Sequence, residues 1–97
     1  MDGPDEIIHQ STRLRMTTIL NALGPDELME FSKLKALLGT TDGNMATHMN
    51  ALERAGYIAV TKDFVGKRPR TRVALTREGR RAFANHVAYL RNLLDGG

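Results

Sequence analysis

The hydrophobic period of this chain changes twice, and the two changes fix the order of its elements. Up to Gly56 the apolar residues recur at helical spacing, from Tyr57 to Thr76 they alternate, and beyond Thr76 the helical spacing returns. Apolar residues at i, i+3, i+4 and i+7 share one face of a helix, whereas alternation puts every second side chain on one face of a strand. Such a chain is predicted to be mostly α with one β-hairpin, an α+β class.

The pattern is helical from about Asp5 to Leu23, where Met16, Ile19, Leu20 and Leu23 form one stripe. Ile7 and Ile8 lie upstream and can belong to a separate first turn. Gly24-Pro25 ends this helix, since proline cannot continue the hydrogen-bond ladder. Leu28–Phe31 fits a minimal strand. Ser32 is the expected N-cap of a short helix, Lys33–Leu38, with Leu34, Leu37 and Leu38 inward. After Gly39 comes a polar turn, Thr40–Gly43, in which Thr41 and Asp42 are N-cap candidates. A second helix follows from about Asn44 to Ala55, with Met45, Met49 and Leu52 as its buried stripe and Gly56 as its stop.

Tyr57–Thr61 and Arg72–Thr76 then alternate as two strands. Lys62–Thr71 between them is read as a long cationic loop with Gly66 and Pro69 as turn residues. Thr76 is placed to cap a last helix, Arg77–Leu94. That helix carries two apolar stripes, Phe83, Val87, Leu90, Leu94 and Ala82, His86, Tyr89, Leu93. Two stripes cover a wider arc than one small domain needs to bury, which points to a second copy of the chain as partner.

A helix pair joined by a turn and followed by a basic hairpin is the layout of a winged helix-turn-helix, in the order α-(β)-α-α-β-β-α. Its chemistry suits double-stranded DNA. The major groove admits one helix, and the second helix of the pair supplies it. The predicted exposed face holds Asn44, Thr47, His48, Ala51 and Arg54, with Asn50 toward one flank. Thr41 and Gly43 stand at the helix start, where free N–H groups can meet a phosphate. Lys62, Lys67, Arg68, Arg70 and Arg72 are expected to follow the backbone or enter the minor groove.

The charge distribution agrees. Residues 1–30 carry two bases and six acids, and residues 31–97 carry twelve bases and five acids. With 97 residues, the chain is expected to form one domain over residues 1–97. It has no cysteine, which excludes thiolate metal sites and disulfides. His9, His48 and His86 lack metal-like spacing, so no metal and no cofactor is expected. No phosphate loop, nucleophile–base pair or carboxylate cluster argues for an enzyme. No segment approaches the length of a membrane span, and the acidic start does not resemble a signal peptide, so the expected location is cytoplasmic.

Several strings together resemble the small MarR/ArsR-like winged-helix transcriptional regulators. They are Arg13-Leu14-Arg15 leading to Ile19-Leu20, Phe31-Ser32-Lys33-Leu34, Thr41 through Met49, Leu52 through Ile58, and Lys67-Arg68-Pro69-Arg70-Thr71 through Leu75-Thr76-Arg77-Glu78-Gly79-Arg80. Met49 stands where the family often has leucine, a tolerable swap in a core. The resemblance implies a regulator that dimerises through its N- and C-terminal helices. Candidate interface residues are therefore Ile7, Ile8, Ala82, His86, Tyr89, Leu90, Leu93 and Leu94, and a palindromic operator is expected. The resemblance leaves the question of a small-molecule effector open. The alternative is a winged-helix module that binds a protein or RNA.

Overall fold

The computed structural model describes residues 3–96. Along them run α1 (Ser11–Asn21), β1 (Met29–Glu30), α2 (Phe31–Leu38), α3 (Asp42–Arg54), β2 (Ile58–Val65), β3 (Arg68–Leu75) and α4 (Arg77–Leu94). This is the order the two changes of period require.

Helix α1 is shorter than the 5–23 stretch expected, because Asp5 turns the chain. Its Oδ1 accepts the N–H groups of Ile7 at 2.9 Å and Ile8 at 3.0 Å. Gln10 is extended, and its side chain accepts the Arg13 N–H at 3.0 Å, so a new helix starts at Ser11. Ser32 is not the cap of α2. The chain passes straight from β1 into Phe31, and Glu30 takes the N-cap position without a side-chain bond. Leu34 and Leu38 point inward, but Leu37 is 51% exposed, because adjacent helical residues point about 100° apart. Of the two candidates for the start of α3, Thr41 is the cap and Asp42 is already the first helical residue, and Thr76 caps α4 as expected. Thr41 accepts the Asn44 N–H at 3.2 Å, and Thr76 accepts the Gly79 N–H at 3.0 Å.

The strands form one antiparallel sheet in the order β1-β3-β2. The long loop expected over 62–71 is absent. β2 and β3 stay paired out to Val65 and Arg68, leaving Gly66-Lys67 as a two-residue turn. Gly66 has φ 64°, and a glycine at the first central position suits such a tight hairpin. Pro69 is tolerated within β3 because β1 pairs only with Arg72 and Val73, so one side of β3 is open beside Pro69.

Met16 and Leu20 of α1, Leu34 of α2, Met45 and Leu52 of α3 and Val73 of β3 are all fully buried. Each contributes roughly 1.5–3 kcal/mol by leaving water. This core lies under α3 and the base of the hairpin, and the outer half of the hairpin projects beyond it as a wing.

Candidate nucleic-acid interface

Helix α3 presents a polar line to solvent. Met45, His48, Met49 and Leu52 are buried, so Gly43, Thr47, Asn50 and Arg54 lie opposite them at steps of four, three and four. All four are exposed. Asn44 is also exposed, but its side-chain amide donates to Thr40 Oγ at 2.7 Å, and its N–H is held by Thr41. Thr47 donates to the Gly43 carbonyl at 3.0 Å. Asp42, at the start of α3, is paired with Lys35 of α2 at 2.6 Å.

His48 departs from the expected DNA-facing set. It is 8% exposed and lies on the inner side of α3. Burial, and then the charge of Arg13, holds its imidazole below the ordinary value of 6.5. His48 is thus packed against the domain and does not stand on the outer line of α3.

The wing sorts its cations by face. Cross-strand partners share a face, so Asp63, Arg70, Arg72 and Arg68 lie on the outer side, while Lys62, Phe64 and Thr71 continue the inner side that carries Val60 and Val73. Arg70 and Arg72 are not free charges. Asp63 accepts from Arg70 Nε and Nη2, both at 2.8 Å, and from Arg72 Nη2 at 2.9 Å. Lys62, Lys67 and Arg68 are exposed and in no ion pair among the described residues. On the inner side, Lys62, Val60 and Thr71 face Ala46, Asn50 and Glu53 of α3 across a cleft of about 470 Å³. Asn50 thus belongs both to the outer line of α3 and to the cleft that the inner face of the wing lines.

Two features escaped the sequence reading. Asp63 is the acid that fixes the wing arginines. Phe64 and Val65 stand at the wing tip, 70% and 55% exposed. The alternation from Ile58 through Val60 and Lys62 to Phe64 carried the signal, but the surrounding charges made it look like a loop.

Of the residues expected at a dimer interface, Ala82, Tyr89, Leu90 and Ile7 are half-buried, and Leu93 and Leu94 are 53% and 86% exposed. Ile8 and His86 are corrected. They are 0% and 1% exposed within the single chain and offer no surface to a partner. His86 Nδ1 accepts the Asp5 N–H at 3.2 Å, its ring meets His9 edge-on at 5.9 Å, and Tyr89 stacks at 6.1 Å. Asp5 Oδ2 also accepts the Tyr57 hydroxyl at 2.7 Å. Burial, then this bond, pushes the phenol up to about 12. Among the described residues no group of His, Asp and Glu could hold a metal ion, and no helix is long and apolar enough to cross a membrane.

A family model for the winged helix DNA-binding domain matches residues 12–94. The chain belongs to this family. A DNA-binding domain of this kind is a binding unit rather than an enzyme. This winged-helix chain is also 33% identical, over 82 residues, to an uncharacterized protein of Methanocaldococcus jannaschii. The match covers 84% of this chain and 86% of the archaeal protein. A solved structure, that of a transcriptional regulator homologue from Pyrococcus horikoshii, superposes with a TM-score of 0.82 at 30% identity. It covers 93% of this chain and 86% of the other.

Proposed function

We propose that this winged-helix protein is a sequence-specific transcriptional regulator that binds double-stranded DNA as a homodimer. The observation that carries the reading is that Asn50, on the exposed polar line of α3, also lines the cleft against Lys62 and Thr71 of the wing. A duplex lying across α3 would take that helix in its major groove and meet the wing on the adjoining backbone or minor groove. Thr47, Asn50 and Arg54 would face the groove, and Gly43, at the helix start, would let backbone N–H groups approach a phosphate. Lys62, Lys67 and Arg68 would supply counterion release. Arg70 and Arg72 would contribute less, because Asp63 already balances much of their charge. Likeness to a transcriptional regulator homologue and to the MarR/ArsR-like group supports the regulatory role, and a regulator of this kind would work in the cytoplasm.

Dimerisation would use the outer side of α4, where Tyr89, Leu90, Leu93 and Leu94 leave apolar surface at the end of an 18-residue helix. Two α3 helices held about 34 Å apart would read a palindrome. Selection from a random duplex pool, followed by light scattering of the free and bound protein, tests all of this together. An inverted repeat bound by two chains is the expected result, and uniform affinity for every duplex would refute the reading. The second reading, an interaction module for protein or RNA, draws on the exposed Phe64, since aromatic anchors mark protein interfaces. The aromatic-free outer line of α3 favours DNA.

A further inference from the structure

Resting on the DNA-binding reading, we infer that Phe64 is a wedge that enters the minor groove beside the α3 site and kinks the duplex there. Four observations converge on it. Phe64 is 70% exposed, so the domain's own core does not use it. Its side chain shares the inner face of the wing with Val60 and Lys62, which line the cleft against Asn50 of α3. Lys62 lies on the same face and Lys67 at the adjoining turn, while Asp63, the one acid of the wing, is committed on the other face to Arg70 and Arg72. A polyanion is the complementary occupant.

The fourth observation is stiffness. An apolar residue on a slack loop would fold back onto the protein. Here Phe64 is paired opposite Pro69 in a closed register, beneath a two-residue turn and beside the Asp63 clamp. The strand from Val60 to Val65 carries the tip roughly 16 Å beyond the core. That reach takes the tip past the groove occupied by α3 to the neighbouring narrow one. An aromatic ring pushed against a base step there unstacks it and bends the duplex, at a cost that depends on the step. Pyrimidine–purine steps such as TA yield most easily. Phe64 therefore selects for deformability at positions where no side chain reads a base edge.

The test uses the full chain and end-labelled duplexes of about 20 base pairs, with or without TA steps beside the bound half-site. The expected result is a rise in energy transfer between the duplex ends on binding, with tighter binding to the TA duplex. In Phe64→Ala the rise disappears and the preference falls by about tenfold, while the slope of affinity against salt stays the same. Phe64→Leu keeps part of both. The chain has no tryptophan, so Phe64→Trp reports its own site, and its emission should change when DNA saturates. Equal bending and equal step preference in Phe64→Ala overturn the inference while leaving the DNA reading intact. Self-association that depends on Phe64 assigns the ring to a second copy and overturns it too. Failure of the wild-type chain to bind any duplex removes the reading beneath it.

Discussion

Asp63 of β2 faces Arg70 of β3 across the wing and grips both edges of its guanidinium, Nε on Oδ1 and Nη2 on Oδ2, each at 2.8 Å. Arg72 adds a third bond to the same carboxylate. Hydrogen bonding from Arg70, followed by the charges of Arg70 and Arg72, holds the Asp63 carboxyl down to about 2 against its own desolvation. The arginine-rich strand is thus less positive than its sequence implies.

Replacing Asp63 with Asn removes one negative charge and releases two positive ones toward solvent. Binding to arbitrary duplexes should tighten, and the slope of log affinity against log salt should steepen by about one to two units as more phosphates are neutralised. Discrimination between sequences should narrow, because the added contacts carry no base information. Fluorescence anisotropy over a salt series checks this, and an unchanged slope would mean that Asp63 leaves the wing's effective charge untouched.

Gly79→Ala is expected to be among the most damaging single-methyl additions to the fold. Gly79 is buried in the first turns of α4, and a Cβ there would collide with the Tyr57 carbonyl, lying 2.8 Å from its carbon. The obstruction is backbone, and that carbonyl already accepts the Thr76 N–H at 3.0 Å, so relief requires α4 to move away from the start of β2. A loss of about 3 kcal/mol is expected, at the upper end for overpacking, or a fall of roughly 12–24 °C in melting temperature. Thermal melting followed by circular dichroism measures it. An unchanged melting temperature would show that the α4 contact gives way freely.

What was legible in the sequence was local. Thr41 and Thr76 cap the helices they were assigned, Gly56 separates α3 from the sheet, and Met45, Met49 and Leu52 are buried as their spacing requires. What was not legible depended on partners distant in the chain. His48 is covered because α1, which brings the charge of Arg13 near it, packs against α3, and His86 is covered because Asp5, 81 positions earlier, bonds to its ring. The wing misled for a different reason. Lys62, Lys67 and Arg68 look like loop composition, yet pairing of Val65 with Arg68 keeps the chain extended to the turn.

The two buried histidines predict a loss of stability in mild acid. His48 is held below 6.5 by burial and then by Arg13, and His86 by burial and then by His9, with Asp5 acting in the opposite direction. The unfolded chain takes up both protons near 6.5, whereas the folded chain resists them to lower pH. Their neutral forms therefore cost nothing above that value, and stability declines as pH falls from about 6.5 toward the folded values. Asp63 does not enter this window, because its effect begins only below its ordinary value of 3.8. Urea midpoints at pH 7.5, 6.0 and 5.0 should fall in that order, and less steeply in His86→Gln. A midpoint that held constant or rose on acidification would contradict the buried neutral assignment.

Asn50 and Arg68 separate the two kinds of contact that the proposed complex requires. Asn50 stands on the outer line of α3 with no hydrogen-bond partner among the described residues, and an amide there can bond bidentately to an adenine edge. Its replacement by Ala should cost about 1–3 kcal/mol on the selected duplex and little on a scrambled one, with the salt slope unchanged. Arg68 lies beside the wing turn, unpaired among the described residues, where phosphate is the natural contact. Its replacement by Ala should weaken both duplexes alike and flatten the salt slope by about one unit. Arg70→Ala should flatten it less, since the charge removed is one that Asp63 already offsets. Measured side by side by anisotropy, the three variants should fall into separate classes. Were Asn50→Ala to weaken both duplexes equally, or Arg68→Ala to act on one sequence alone, the helix and the wing would have exchanged the roles their geometry gives them.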